Sequence, residues 1–174
     1  MHAPVFPVDF EHIRRTSMSM TFSAIHDRWT RTIKGESGSF DIRARVLNHP
    51  QETFGYRMSY KGKVVVFTTD HEPYAEPDPK LIELVRNADV WITDCQYSHD
   101  VYAGANGGIP RLGWGHSFPE YIAATARLAQ PKLIVTTHHD PDSDDQAVEV
   151  LAKRVAELSA INTIPAYEGL ELTF

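Results

Sequence analysis

The chain has 174 residues, 42% of them hydrophobic, with 17 Lys+Arg against 23 Asp+Glu and a net charge of -6. Such a chain supports one soluble globular domain, residues 1–174, with a real core. Its charge argues against a broad nucleic-acid-binding face or an anionic membrane surface, while a local phosphate site stays open because a bound metal can supply positive charge. No apolar run approaches membrane-spanning length, the amino terminus lacks a signal-peptide pattern, and the one cysteine, Cys95, suits a reducing compartment. A cytoplasmic protein is expected.

In chain order, Pro4-Val5-Phe6-Pro7 and Asp9-Phe10-Glu11-His12 read as an extended lead-in followed by a short helix or turn. Met18 to Ile25 alternates apolar and polar residues, which predicts a strand with one buried face. Lys34 to Gly38 is a turn, and Phe40 to Leu47 alternates again before Asn48-His49-Pro50 ends that strand. Thr53 to Tyr60 and Lys63 to Thr69 flank Lys61-Gly62, a tight hairpin signal. Val64-Val65-Val66-Phe67 is apolar on consecutive residues, so both of its faces are expected to be buried. That run ends at Thr69-Asp70-His71.

Asp78-Pro79 marks a helix start, with an apolar face through Leu81, Ile82 and Val85. Val90 to Thr93 is a short strand running into Asp94. Tyr97 to Gly115 is glycine-rich and reads as a long loop, a feature that in compact domains is usually functional or mobile. Ser117-Phe118-Pro119-Glu120 has a capping-box pattern, and its helix places Tyr121, Thr125 and Leu128 beside Ile122, Ala126 and Ala129. Leu133 to Val135 predicts a buried strand, and Ser143-Asp144-Asp145-Gln146 a second capping box. The helix after it is expected to bury Val148, Leu151, Val155 and Leu158. Strands near Asn162–Ala166 and Leu170–Phe174 finish the chain. Hairpins early and strand–helix alternation late define an α/β domain with a mixed sheet and helices on one face.

The chemistry gathers at strand ends. His138 and His139 follow the Leu133 strand, His49 and Asp70 end earlier ones, and His116 precedes a helix. In α/β sheets the carboxyl edge of the strands is where ligands bind. Imidazole and carboxylate suit Zn, Mn and Fe, and a carboxylate can bridge two ions ~3.5–4 Å apart. Each residue also has a plain role: His49 as a turn histidine beside a proline, Asp70 as a strand-end cap. Asp140, Asp142 and Asp144 do not make an EF-hand, which needs glycine at Asp145 and glutamate at Leu151. They read as acids near a helix amino terminus. His139 and Asp140 either support a ligand or face solvent. His71 and His99 read as surface or loop histidines, Cys95 as a small buried residue, and Trp91, Trp114 and Tyr97 as packing groups.

Four segments together resemble a known family. They are Leu47-Asn48-His49-Pro50 with Phe54-Gly55-Tyr56-Arg57; Val65 to Asp70; Gly113-Trp114-Gly115-His116-Ser117; and Leu133 to Pro141. In this order they resemble the carboxyl-terminal half of a metallo-β-lactamase-fold hydrolase, in its ribonuclease Z-like and phosphodiesterase-like branch. The resemblance implies a metallo-β-lactamase-like αββα sandwich that lacks its amino-terminal half. It implies His49, Asp70 and His138 as metal ligands, with Asp70 bridging a dinuclear Zn, Mn or Fe centre. It implies His116 as the proton donor to the leaving group and Asp94 as the acid that orients it.

The family's His-x-His-x-Asp-His loop is missing, since His2, His12 and His26 lack the spacing. Without it, the first metal keeps only His49 and the second keeps Asp70 and His138, whereas catalytic zinc typically has three protein ligands. Met1 is then expected to be an internal methionine of a longer parent, through truncation, a misplaced start codon or a split gene. Two functional readings follow. One is a metal-dependent hydrolase of a small phosphodiester or ester, using a metal-bound hydroxide and inactive as this fragment alone. The other is a catalytically silent structural or partner module. In both, an uncovered sheet face predicts self-association or a complementary amino-terminal half.

Overall fold

The computed structural model describes residues 23–173. The expected lead-in and most of the Met18–Ile25 strand lie outside the described residues, and residues 23–25 carry no strand. The first described strand is instead β1, Thr30–Gly35, paired antiparallel with β2, Gly38–Val46, across the expected turn. Every residue of β1 is exposed, so it lacks the one-sided burial that marks a strand in sequence. Its ladder with β2 makes it a strand.

β3, Phe54–Tyr60, and β4, Lys63–Thr68, form the predicted hairpin. Lys61 and Gly62 both take positive φ, 47° and 79°, as a type I′ turn requires. α1, Pro79–Val85, starts at Asp78, whose side chain accepts from the Lys80 N–H. Arg57 of β3 donates to the carbonyls of Leu84 and Arg86, which satisfies the other end of that helix. β5, Val90–Asp94, follows. α2, His99–Ala103, and a single 3₁₀ turn interrupt the long glycine-rich loop. α3, Pro119–Ala129, β6, Ile134–Thr137, α4, Asp145–Ser159, and β7, Thr163–Pro165, complete the order. Residues 170–173 form no strand, which corrects the expected second terminal strand.

The seven strands make one mixed sheet in simple order, β1 to β7. Pairing is antiparallel up to β4 and parallel from β4 to β7. Because β2 and β4 both run antiparallel to β3, they point the same way as β5 and β6. β7 runs parallel to them as well, so the carboxyl ends of five strands meet at one sheet edge, and the chemistry-bearing residues lie there.

The helices pack on one face. Val66, Trp91 and Ile134 lie in register across β4, β5 and β6 and are fully buried against Leu81, Leu84, Ile122, Ala126 and Val155. Their strand neighbours point to the opposite face. There Phe67 is 38% exposed and Val65 and Ile92 are only partly covered, while Val90 and Val135, deeper along the sheet, are buried. The expectation that Val64 to Phe67 is buried on both faces is thus corrected: among the described residues, only one face carries helices.

Smaller corrections have local causes. Ser117 caps no helix; Phe118 occupies the cap position, because the Ser117 hydroxyl donates to the His71 carbonyl instead. Asp144 rather than Ser143 caps α4, accepting from the Ala147 N–H. Leu128 is exposed, and in α4 Ala152 and Ser159 are buried while Val148 and Leu158 are only partly so. Both shifts are rotations of about one residue, set by where the two helices touch.

Candidate active site

Strand ends and tight turns bring four side chains together. Asp70 lies two residues past β4, Asp94 ends β5, His138 follows β6, and His116 sits just before α3. One ligand atom from each lies within 4.8 Å of all the others. Asp70 and His138 both take left-handed backbone, with φ of 52° and 57°. Such conformations cost on the order of 1 kcal/mol in non-glycine residues and concentrate at functional sites. Here each turns its side chain inward over the sheet edge, toward the other three.

The distances separate two kinds of pair. His138 Nε2 and Asp70 Oδ1 are 3.5 Å apart. Two atoms bound at ~2.0–2.1 Å to one tetrahedral ion would lie about 3.3 Å apart, so this pair fits two ligands of one divalent metal. His116 Nδ1 and Asp94 Oδ2 are 2.8 Å apart, a hydrogen bond rather than a shared coordination edge. Asp94 Oδ2 is also 3.9 Å from His138 Nδ1.

Asp94 is fully buried, and its charge is distributed over several donors. Its Oδ1 accepts from the backbone N–H groups of Gln96 and Ser117, at 3.1 and 3.3 Å. Burial on its own lowers the basicity of His116. The hydrogen bond to Asp94, and the charges of Asp94, Asp70 and Glu72, outweigh burial and hold the imidazole above its ordinary range. His116 is thereby oriented and biased toward the protonated form.

His49 lies at the same edge but outside this group of four. Its ring meets His116 edge-on with centroids 6.1 Å apart, and its Nδ1 faces Gln51. Gly115, with φ of 90°, makes that approach possible, since a Cβ there would run into the His49 ring. His139 is also apart from the four; burial lowers its basicity, and the backbone of Ala166 lies against it.

Two residues with no sequence signal support the site. Glu72 is buried; its carboxylate accepts from Tyr102 Oη at 2.9 Å and from the N–H groups of Gly113 and Gly115. It ties the long loop down beside His116. His71, read from sequence as a surface or loop residue, is only 2% exposed, and burial keeps it neutral. Its Nε2 lies 3.3 Å from the Ser117 hydroxyl, joining the turn after Asp70 to the turn after His116. Trp91 packs as expected, donating to Thr68, whereas Trp114 is half exposed under the Arg111 guanidinium. His99 is exposed and Cys95 is buried, as read from the sequence.

Comparison with known proteins adds three findings. Residues 10–139 match the family described as "Beta-lactamase superfamily domain". A ribonuclease Z of Archaeoglobus fulgidus is 32% identical over 118 residues, which is 66% of this chain and 34% of that one. The chain therefore spans about a third of that relative's length. Two solved structures share the fold. The metallo-beta-lactamase fold protein YhfI of Bacillus subtilis has a TM-score of 0.66 at 16% identity, covering 92% of this chain and 60% of that one. Zn(2+)-bound PqqB of Methylobacterium extorquens has a TM-score of 0.60 at 16% identity, covering 86% and 55%.

Proposed function

From the premise that this chain belongs to the beta-lactamase superfamily domain family, we propose that it carries part of the catalytic centre of a metal-dependent hydrolase acting on a small phosphodiester or related ester. The observation behind this reading is the convergence of Asp70, Asp94, His116 and His138 at one sheet edge. Asp70 and His138 would hold a divalent ion, zinc by analogy with the Zn-bound relative, and His49 would contribute to a neighbouring ion. A bound ion supplies Lewis acidity and lowers the pKa of a coordinated water. Asp94 keeps His116 oriented, and His116 delivers its proton to the departing oxygen. Phosphodiester chemistry is favoured by the similarity to a ribonuclease Z. A small substrate rather than structured RNA is favoured by the acidic charge. No described helix is long and apolar enough to cross a membrane, and a cytoplasmic setting suits the single buried thiol.

The remaining donors would come from a complementary amino-terminal half or a second copy seated on the open sheet face. The silent-module reading draws on one observation: with the His116–Asp94 pair closed on itself, Asp70 and His138 are the two best-placed donors of the four. Metal content and turnover separate the readings. In the complemented protein, His138→Ala loses metal and phosphodiester hydrolysis together. His116→Ala keeps its metal and loses about 10²–10⁴ in kcat on an alkyl phosphodiester, with a smaller loss on bis(p-nitrophenyl) phosphate, whose leaving group needs no proton. Metal loss in His116→Ala, or equal rate losses on both substrates, would overturn the role given to His116. A complemented protein that binds metal but hydrolyses neither substrate would favour the silent module.

A further inference from the structure

Next to the four clustered side chains is a 440 Å³ cavity between the segment after β5 and the start of α4. Its size is within the range of small-molecule sites. Tyr97, Val101, Val150 and Leu151 give it apolar walls. Val101 and Val150 are 44% and 57% exposed, so the described residues leave these surfaces uncovered. Gln96 also lines it and is 8% exposed.

Charge narrows the ligand. Asp140 and Asp144 line the cavity. The amino terminus of α4, which would otherwise attract an anion, already has the Asp144 carboxylate on the Ala147 N–H and Asp145 in its first turn. An anionic group entering here would meet carboxylates rather than free donors. The cavity's lining also touches the candidate active site. The Gln96 N–H donates to Asp94, the Tyr97 ring meets that of His116 edge-on at 6.0 Å, and Asp140 is two residues past His138.

We propose that this cavity is a binding subsite for a flat, largely apolar group that is uncharged or cationic. Resting on the hydrolase reading, it would seat the leaving-group side of the substrate, next to the proton donor His116.

Three compounds of one shape test it by direct binding, monitored by NMR titration of the protein: benzamidine, benzamide and benzoate. Benzamidine and benzamide are expected to bind, with benzoate at least about tenfold weaker, as a charge reversal beside carboxylates requires. Ala147→Phe, at an exposed helix position lining the cavity, should weaken benzamidine at least about tenfold. Val150→Phe is the second filling variant should the first not fold. Benzoate binding as tightly as benzamidine, no binding of any of the three, or binding indifferent to both filling variants would overturn the proposal. Because the readout is binding, a protein that hydrolyses nothing yet binds benzamidine in this pattern would defeat the hydrolase reading and leave the subsite standing.

Discussion

The two faces of the sheet come from the same strands but differ in what covers them. On the helix side, Val66, Trp91 and Ile134 are fully buried and share one core with α1, α3 and α4. On the other side, Val90 and Val135 are buried, but Phe67 and Tyr60, on β4 and β3, are 38% and 37% exposed. Strand composition therefore reports how many layers a sheet is built to contact, while exposure reports how many it contacts here. An apolar face that remains open is a surface for association.

Substitutions on the two faces should sharpen that contrast. Trp91→Ala should be the most costly, at about 3–5 kcal/mol by denaturant unfolding, since it opens a cavity in the covered core and removes the indole N–H that donates to Thr68. Phe67→Ala, one strand over on the open face, should cost about 1 kcal/mol or less. Its larger effect should be on assembly: Phe67→Lys is expected to shift the mass measured by light scattering toward monomer. If Phe67→Ala destabilised the protein as much as Trp91→Ala, the open face would have to be covered by another layer.

An intermediate effect is expected where the loop meets the site. Glu72→Gln removes the charge that strengthens three hydrogen bonds to the 102–115 segment and replaces one accepting oxygen with an NH2 group, so at least one of the three is lost. Amide exchange at Gly113 and Gly115 should speed up by about tenfold or more, with metal content unchanged. Unaltered exchange would show that the loop is held by something other than Glu72.

An effect on stability no larger than that of Phe67→Ala should come from Asp89, on the covered side where β4 meets β5. Its carboxylate accepts from Lys132 and from the Val64 N–H, and both hold its pKa below the ordinary carboxylate value. A carboxyl whose folded pKa is depressed adds stability that is complete above the unfolded value of about 3.9 and is lost as pH falls through the folded pKa. Asp89→Asn should therefore lower stability by roughly 1 kcal/mol at neutral pH, with solvent screening at the exposed Lys132 limiting the size. Thermal unfolding as a function of pH should show the wild-type advantage shrinking below about pH 4. A difference that grew toward low pH would contradict this sign.

Much of this molecule is legible locally. The Lys61-Gly62 hairpin, the Asp78 helix start and the β-branched runs of β4, β5 and β6 depend on turn chemistry and short-range pattern, and each appears in the fold as expected. Asp70, Asp94 and His138 could be picked out as polar residues ending apolar strands, because parallel strands bring such ends to a common edge. Only the tertiary structure decided how those ends are used. Glu72 sits in an ordinary loop sequence, and its partners are 30 to 43 residues away. Ser117 looked like a helix cap until His71, 46 residues earlier, claimed its hydroxyl. The sorting of the four site residues into a 2.8 Å hydrogen-bonded pair and a 3.5 Å pair spaced for a metal is likewise beyond any spacing rule. Local sequence sets backbone preference and polarity, whereas long-range contacts choose which of several available partners a polar group takes.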